Sequence, residues 1–526
     1  MSSRPSQNPA YWTTDFELTP DDIQFLLDYL VERDRPVADV DMVKALIEHR
    51  LRREEQRIQR QLAQGRVYQP QEDYREGETV VFPLLDYAVG TVVGKRPGKN
   101  PEHGSFNVIQ VKFPGQSQPR QFAAALKTPH KLSQTGGNAT QPPAENAETI
   151  FKRYGAQVRQ AMANQLQAKA PADFVQLGHF WLPTKSLADV HIGHLNIVEA
   201  MIELNNRPMA TAELLPELGL PKEIPQSIVA FSLDRGLAND PRFVDVGVDS
   251  RQWYLQRLLP EEAVAIPRRL QHFPDVFDRS VLSVPLLELE WELDDEWTEG
   301  GPTSVSTTQQ QRVTLALIYP HRRSGTLPLS SRTRSFFPVR EGKRSLITFI
   351  DGRWGKRFPG WVMPDGRYVC GLGAWYEEHK LPVGAYILLE RTDTPGEVVV
   401  DFRPHRLKRD WVRVARVERG QLMFTMLKHA ISADYDDDLV IAEADPAATD
   451  DLRRELYTRN VPLASLVHDV AVQLMGLSNQ GTVHAKTVYS AVNLVRRTAP
   501  GPVFAALVTN PRFQALGGNL FALARG

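Results

Sequence analysis

Apolar residues recur at helical spacing near the N-terminus and alternate further along. Ile23, Leu26, Leu27 and Leu30 fall at i, i+3, i+4 and i+7 behind Thr19-Pro20-Asp21-Asp22. That tetrapeptide joins a cap candidate, a first-turn proline and acids at the positive end of the helix dipole, so a helix starts there. A longer helix is predicted over residues 40–64, its second half mixing charges of both signs as a solvated face does. From residue 77 the period drops to two. Strands are predicted at 79–82, 90–93 and 106–113, with a basic Gly/Pro loop at 95–100. Residues 132–147 lack any period and read as a linker. A helix is predicted over 151–169.

Residues 187–258 carry a helix with the stripe Leu195, Val198, Met201 and Ile202, a short helix at 211–215 and a third at 224–237. Two strands follow, at 242–246 and 252–255. Asp240-Pro241-Arg242-Phe243 recurs as Asn510-Pro511-Arg512-Phe513, and each copy is followed by an aromatic–x–Leu ending, Trp253-Tyr254-Leu255 and Phe521-Ala522-Leu523. Two copies predict a duplicated module rather than a solenoid. Between them, residues 319–391 are rich in β-branched and aromatic residues and punctuated by turn signals. Trp354, Phe358, Trp361, Trp375 and Tyr376 are expected to pack in the core or on hairpins.

A chain of 526 residues with 42% apolar and 24% charged content implies several globular domains. The single cysteine, Cys370, allows no internal disulfide and no Cys-based zinc site, which suits a reducing cytoplasm. The N-terminus shows no apolar signal core and no run of 18 apolar residues occurs, so neither secretion nor a membrane span is expected. Net charge is −1, but its distribution is uneven. Residues 312–416 carry roughly twenty Lys or Arg against about ten Asp or Glu, the footprint of phosphate contacts. Glu288, Glu290, Glu292, Asp294, Asp295, Glu296 and Glu299 form an acidic run, expected as a solvated connector; the sharper reading is a mimic of nucleic acid that masks a basic face of the same chain.

The central cations are grouped. Arg332 and Arg334 stand beside Ser330, Ser331 and Thr333; Arg353, Lys356 and Arg357 surround Trp354 in a Gly-rich turn; Arg367 follows Pro364-Asp365-Gly366. Short polar side chains and arginines on loops suit phosphate positioning and reading of guanine edges. The strings at 327–338 (ending Phe-Phe-Pro), 346–358 and 371–389 resemble the DNA-binding pseudobarrel family, which includes plant B3 domains and the recognition domains of some restriction enzymes. The resemblance implies two loop arms that clamp the major groove, one at 330–334 and one around 353–357 and 367. It also implies a short helix, a Gly turn and a closing strand over 371–389. Ala385 stands where that family commonly has an acid, and the basic extension 403–416 lies outside its pattern. Residues 77–127 resemble SH3-like barrels of the KOW and CarD types, and 187–258 resemble winged-helix modules of the HARE type. Those likenesses imply binding to nucleic acid, ribosomes or RNA polymerase, with third helices in the major groove.

No reaction is convincing. His191-Ile192-Gly193-His194 matches the signature of class I aminoacyl-tRNA synthetases, yet no KMSKS-like string or repeated βα unit accompanies it; these are helix-start residues. A metal role for the pair with His179 has no supporting spacing. Asp434, Asp436, Asp437 and Asp438 lack the ligand spacing and glycine of an EF-hand. Glu397 and Asp401 share a strand face, but a nuclease needs a matched lysine and a third carboxylate. The chain is therefore expected to be a binding protein without cofactor or metal, with a nuclease as the alternative.

The expected architecture is α+β and multidomain: an N-terminal helical region (1–66), an SH3-like β-barrel (73–128), a linker (129–147), helices with a winged helix (148–262), an acidic connector (263–305), a B3-like β pseudobarrel (306–420), and helices with a second winged helix (421–526). The expected function is sequence-selective binding of double-stranded DNA in transcription regulation or nucleoid organisation, in the cytoplasm. The alternatives are a scaffold docked on RNA polymerase and the recognition component of a restriction system. Candidate contacts are Arg332, Arg334, Arg353, Lys356, Arg357 and Arg367, then Arg406, Lys408 and Arg409, then Arg496 and Arg497. Arg235, Arg242, Lys486 and Arg512 are further basic positions in the winged modules.

Overall fold

The computed structural model describes residues 4–100, 103–128, 146–298, 310–340 and 342–524. The expected linker lies outside them apart from residues 146 and 147, as does Glu299. The chain forms two compact units, Met1–His191 with Gly219–Gly236, and Ile192–Leu218 with Leu237–Gly526. It is a mixed α/β, multidomain protein with several separate sheets.

The first unit opens with α1 (Pro9–Trp12), α2 (Pro20–Arg33), β1 (Val37–Ala38) and α3 (Asp39–Leu62). Thr19 and Asp22 close a capping box, each side chain taking the other's backbone N–H at 3.2 and 2.9 Å; such a cap contributes about 1 kcal/mol. A five-stranded sheet follows: β2 (Arg66–Val67), β3 (Thr79–Phe82), β4 (Ala88–Pro97), β5 (Asn107–Lys112) and β6 (Arg120–Ala124), hydrogen-bonded in chain order. It closes over Tyr68, Tyr74, Val80, Phe82, Ile109 and Val111. The three predicted strands are all present, and β2 and β6 are additional to them. Then come α4 (Ala147–Lys169), β7 (Phe174–Leu177) and β8 (Phe180–Pro183). Trp12, Leu26, Met42 and Leu46 pack with Val158, Met162 and Leu166 of α4 in one core. The N-terminal helices are thus not a region of their own; the five-stranded sheet interrupts a module that α4 completes.

The rest of the chain supplies α5 (Ile192–Asn205), β9 (Met209–Ala210), α6 (Thr211–Leu214), α7 (Gln226–Asn239), β10 (Phe243–Asp245), β11 (Gln252–Leu255), α8 (Glu261–Val264) and α9 (Val284–Leu293). The seven strands β12 (Arg312–Ala316), β13 (Thr326–Pro328), β14 (Ser345–Asp351), β15 (Arg357–Met363), β16 (Tyr368–Cys370), β17 (Tyr386–Arg391) and β18 (Glu397–Phe402) build one sheet, with α10 (Tyr319–Ser324) and α11 (Gly373–Glu378) between them. Its order is β12-β17-β18-β14-β15-β16-β13, curled into a half-barrel, with β14 and β18 parallel and every other pair antiparallel. Every second residue of β14 is buried, so Ile347 and Phe349 enter the core with Leu327, Val369, Trp375 and Ile387. The expected short helix, glycine turn and strand are α11, Gly384 and β17. Gly384 has φ 86°, and a Cβ there would sit 2.9 Å from the Asp436 carbonyl oxygen. β17 lies inside the sheet rather than closing it. The chain ends with the hairpin β19 (Pro404–Glu418) and β20 (Gln421–Ala433), then β21 (Ile441–Glu443), α12 (Pro446–Thr458), α13 (Leu463–Met475), β22 (Thr482–His484), α14 (Ala485–Val492), α15 (Pro500–Thr509), β23 (Phe513–Gly517) and β24 (Leu520–Leu523).

One local arrangement occurs three times, not twice. Three-stranded sheets have the orders β1-β8-β7, β9-β11-β10 and β22-β24-β23. In each, a two- or three-residue strand before a helix pairs with the second strand of a later hairpin. Val37 faces Trp181, Met209 faces Trp253 and Val483 faces Phe521. The hairpins close alike: the N–H groups of Thr184, Gln256 and Ala524 donate to the carbonyls of Asp173, Arg242 and Arg512 at 2.9, 2.8 and 2.8 Å. Asp240 and Asn510 each accept the N–H of the arginine two residues on at 3.0 Å, which explains why Asp/Asn-Pro-Arg-Phe recurs.

Candidate nucleic-acid interface

Burial sorts the predicted cations. The loop 330–334 is locked. Ser330 and Thr333 are buried, and Thr333 Oγ1 donates to the Pro328 carbonyl at 2.6 Å. Asp294 accepts hydrogen bonds from the Ser330 hydroxyl and, at 2.7 Å, from Ser331. It also pairs with Arg332 at 3.1 Å, while Arg332 donates to the Glu292 carbonyl at 2.6 Å. Arg367 donates to the Glu296 carbonyl at 3.0 Å and lies 4.4 Å over the Trp297 ring. Arg334 is exposed, with no ion-pair partner among the described residues. The second arm is paired as well: Arg353 with Asp401 at 2.8 Å, Lys356 with Glu378 at 3.3 Å, and Arg357 with Glu397. The first and third of these pairs also occupy the carboxylates of the nuclease alternative, Asp401 and Glu397. Among the described residues no group of three or more His, Cys, Asp or Glu is placed to hold a metal ion. Of the aromatic residues expected in the core, Trp361, Trp375 and Tyr376 are buried, while Trp354 is 62% exposed and stands 4.5 Å from the His379 ring.

The acidic run is solvated only in part: Glu288 and Glu292 are exposed, while Glu290 is buried. Asp294, Asp295 and Glu296 are buried because cations from distant sequence meet them. Arg497 reaches Asp295 at 2.8 Å and Glu296 at 2.7 Å. Tyr489 donates to Asp295 at 2.5 Å, and His321 lies 3.1 Å from Glu296 and 2.8 Å from the Thr326 hydroxyl. Burial pushes the Asp295 carboxyl up. At Glu296 burial acts the same way, but Arg497 and His321 outweigh it and hold that carboxyl well below its ordinary range. Arg497 is therefore removed from the phosphate contacts: its guanidinium is consumed inside the protein. Arg496 is half-buried against Asp275 at 2.6 Å, and Lys486 is held by Glu292 and Asp436, both at 2.8 Å. Arg242 is tied to Asp240 and Glu199 at 2.6 and 2.5 Å. The third helix of the last module, α15, is buried from Pro500 to Ala505 and exposed only at its C-terminal end, at Val508 and Thr509.

His272 stacks on Trp297 at 4.6 Å, and neither ring nitrogen has a hydrogen-bond partner among the described residues. Burial, then the charge of Arg497, press its pKa down to about 4. The native state thus disfavours the protonated ring. Stability is complete above about 6.5, the unfolded value, and falls as pH drops from there to about 4. Urea midpoints measured across that range should decline in the wild type and flatten in His272→Phe; equal slopes would exclude His272 as the cause.

The hairpin β19–β20 is different. Every residue from Pro404 to Arg409 is exposed, as is every residue from Leu427 to Ala430. The two runs are offset by the register: Arg409, Trp411, Lys428 and Ala430 share a face that is exposed at all four positions, whereas the other face, which carries Lys408 and Asp410, is packed at Val412 and Ile431. Its ends are anchored by buried Ala433 and Val412. Pro404 pairs with Ala433 and Lys408 with Ile431, so His405, Arg406 and Leu407 bulge opposite Ser432. Arg406 and Arg409 have no ion-pair partner among the described residues; Lys408 pairs with Asp410 at 2.7 Å. Lys428, directly across from Trp411, lies 5.2 Å over its ring, and Trp411 is 61% exposed. Residues 403–411 and 427–429 together hold Arg403, Arg406, Lys408, Arg409 and Lys428 against Asp410 alone. Sequence reasoning marked the first strand and missed Lys428 and His429, because only pairing brings them alongside.

No family model, curated protein or solved structure matches the chain. No helix among the described residues is long and apolar enough to cross a membrane.

Proposed function

We propose that the protein binds double-stranded DNA through the β19–β20 ribbon, beside a half-barrel of the B3-like kind. The observation that carries this is the run of exposed, largely unpaired cations on a ribbon with one open face. A two-stranded ribbon fits the major groove, and arginines on a bulge reach base edges or phosphates. The half-barrel arms contribute less than their sequence suggests, since all their arginines but Arg334 are held by acceptors of this chain. The three repeated modules are winged-helix-like, and the five-stranded sheet is SH3-like; they serve as scaffold or as secondary contacts. Transcription regulation or nucleoid organisation is the process that such a protein would serve. A second reading, docking on a protein such as RNA polymerase, is favoured by Leu407, Trp411 and Leu427, which are 68%, 61% and 49% exposed on the same ribbon.

The test is retention of a random duplex pool by the full chain at several salt concentrations, with sequencing of the bound DNA. A steep salt dependence with an enriched motif is expected. Absence of binding at low salt would leave the docking reading. Arg332→Ala should change affinity by less than about twofold, because an arginine already paired within its own protein gains little from a phosphate. A loss as large as that of Arg406→Ala would return the interface to the half-barrel arm.

A further inference from the structure

Away from the ribbon, a cavity of about 690 Å³ opens between the segment after α8, the C-terminal end of α12, and the chain following α14. Its floor is apolar, with Leu456, Val461, Leu466 and Val495. One wall is aromatic: Phe273 and Tyr457 are 49% and 65% exposed, with ring centroids 5.2 Å apart. Gln271 and Asn460 place amides in the same lining. The remaining lining is cationic. Arg268, Arg453, Arg454, Arg496 and Arg497 all border the space, and none of its lining residues is Asp or Glu.

These arginines are unequally occupied. Arg496 and Arg497 are consumed by Asp275, Asp295 and Glu296. Arg453 donates to the Arg268 carbonyl at 2.8 Å and stands 3.8 Å from Asp450. Burial, and the nearby charges of Arg269 and Arg268, press its pKa below the ordinary value, although Asp450 opposes them. Arg454 is matched only by Asp451 one turn earlier, an exposed pair of little strength. Arg268 is exposed, with no ion-pair partner among the described residues. The same three arginines, Arg268, Arg453 and Arg454, also border a second cleft of about 1110 Å³. They form a cationic ridge with open space on both sides.

We propose that the smaller cavity binds one nucleoside phosphate, its base against Phe273 and Tyr457 and its phosphate on Arg268 and Arg454. The volume suits a ligand of that size. An aromatic wall beside a carboxylate-free cationic rim matches a planar base carrying an anion, since rings stack on bases and guanidiniums take phosphate oxygens in pairs. The amides of Gln271 and Asn460 offer the base hydrogen-bond partners. The site does not depend on the ribbon. Its ligand is either a free nucleotide or one nucleotide of a single strand.

The experiment is calorimetric titration of the full chain with each nucleoside 5′-monophosphate, with the unphosphorylated nucleosides, with inorganic phosphate, and with a short single-stranded oligodeoxynucleotide. The oligonucleotide arm uses an Arg406→Glu, Arg409→Glu background so that ribbon binding does not contribute. A monophosphate should bind, and phosphate or nucleoside alone should bind at least about tenfold more weakly. Tyr457→Ala should weaken binding by about 5- to 150-fold, the range of one lost base stack. Arg268→Glu should weaken the monophosphate and leave the nucleoside unchanged. Both side chains are exposed, so neither substitution threatens the fold. Binding confined to the oligonucleotide, with the same two dependences, would assign the site to a strand. Phosphate binding as tight as the monophosphate, insensitivity to both substitutions, or silence of all ligands up to about 1 mM would overturn the proposal.

Discussion

Arg497→Met should destabilise the protein by about 3–5 kcal/mol in chemical denaturation, the cost of leaving a buried charge without its partner. Two carboxylates depend on this one guanidinium. Asp295 and Glu296 are 4% and 5% exposed, and their remaining partners, Tyr489 and His321, cannot neutralise two charges. The damage should reach two places at once, because the network ties α10 and β13 of the half-barrel to the last repeated module. Its pH dependence gives the mechanism. In the wild type Glu296 is held below the ordinary range, so its stabilisation is complete above about 4.3, the unfolded value, and is lost as pH falls. In Arg497→Met both carboxyls are expected above their unfolded values, so the variant should regain stability relative to wild type as pH drops. Adding Asp295→Asn and Glu296→Gln should recover part of the loss at neutral pH. A deficit independent of pH, unmoved by those amides, would mean that packing rather than charge is at stake.

This network marks where the sequence stops being informative. Seven acids between residues 288 and 299 look like a solvated stretch, and nothing local contradicts that. Their partners lie far away: Arg497 is 202 residues from Asp295. Only the fold brings the charges together, and then burial becomes affordable because each carboxylate meets a cation or a hydroxyl. The helix–glycine–strand order expected over 371–389 was legible through the resemblance, and one sterically forced glycine, Gly384, sits at its turn. The repeated module was half legible. Asp240-Pro241-Arg242-Phe243 and Asn510-Pro511-Arg512-Phe513 share a turn whose hydrogen bonds require those residue types. The first copy has Ala170-Pro171-Ala172-Asp173-Phe174 instead, and the five-stranded sheet separates its second and third helices. A signal was present nonetheless: Arg35-Pro36-Val37-Ala38 matches Arg207-Pro208-Met209-Ala210, and both enter the short strand that opens a module. The pairing of the loop-arm cations was hidden for the same reason as that of the acidic run. Composition shows how many cations a segment has, not which of them its own chain has already neutralised.

That distinction leads to the second large effect. Arg406→Glu, Arg409→Glu, Lys428→Glu should abolish most DNA affinity, while Arg332→Glu, Arg353→Glu, Arg357→Glu, with the same charge change, should cost much less. Each phosphate contact adds about 0.9 to the slope of log affinity against log salt, so three lost contacts should flatten that slope by about 2.7. Extrapolated from about 1 M salt down to about 50 mM, the same slope corresponds to a loss on the order of 10³-fold. The three substituted side chains are exposed, and the buried Val412, Ile431 and Ala433 are untouched, so the thermal midpoint should stay within a few degrees of wild type. In the comparison triple, Arg353 and Arg357 leave Asp401 and Glu397 unpaired, so that variant should lose stability more than affinity. The contrast holds only if pairing within the chain decides which cations reach DNA. Equal losses in the two triples, with equal change in slope, would show that the barrel arms release their partners on binding and that both surfaces grip the duplex. An unchanged slope in the ribbon variant, with a partner protein still retained, would assign Leu407, Trp411 and Leu427 to a docking surface and remove the ribbon from DNA altogether.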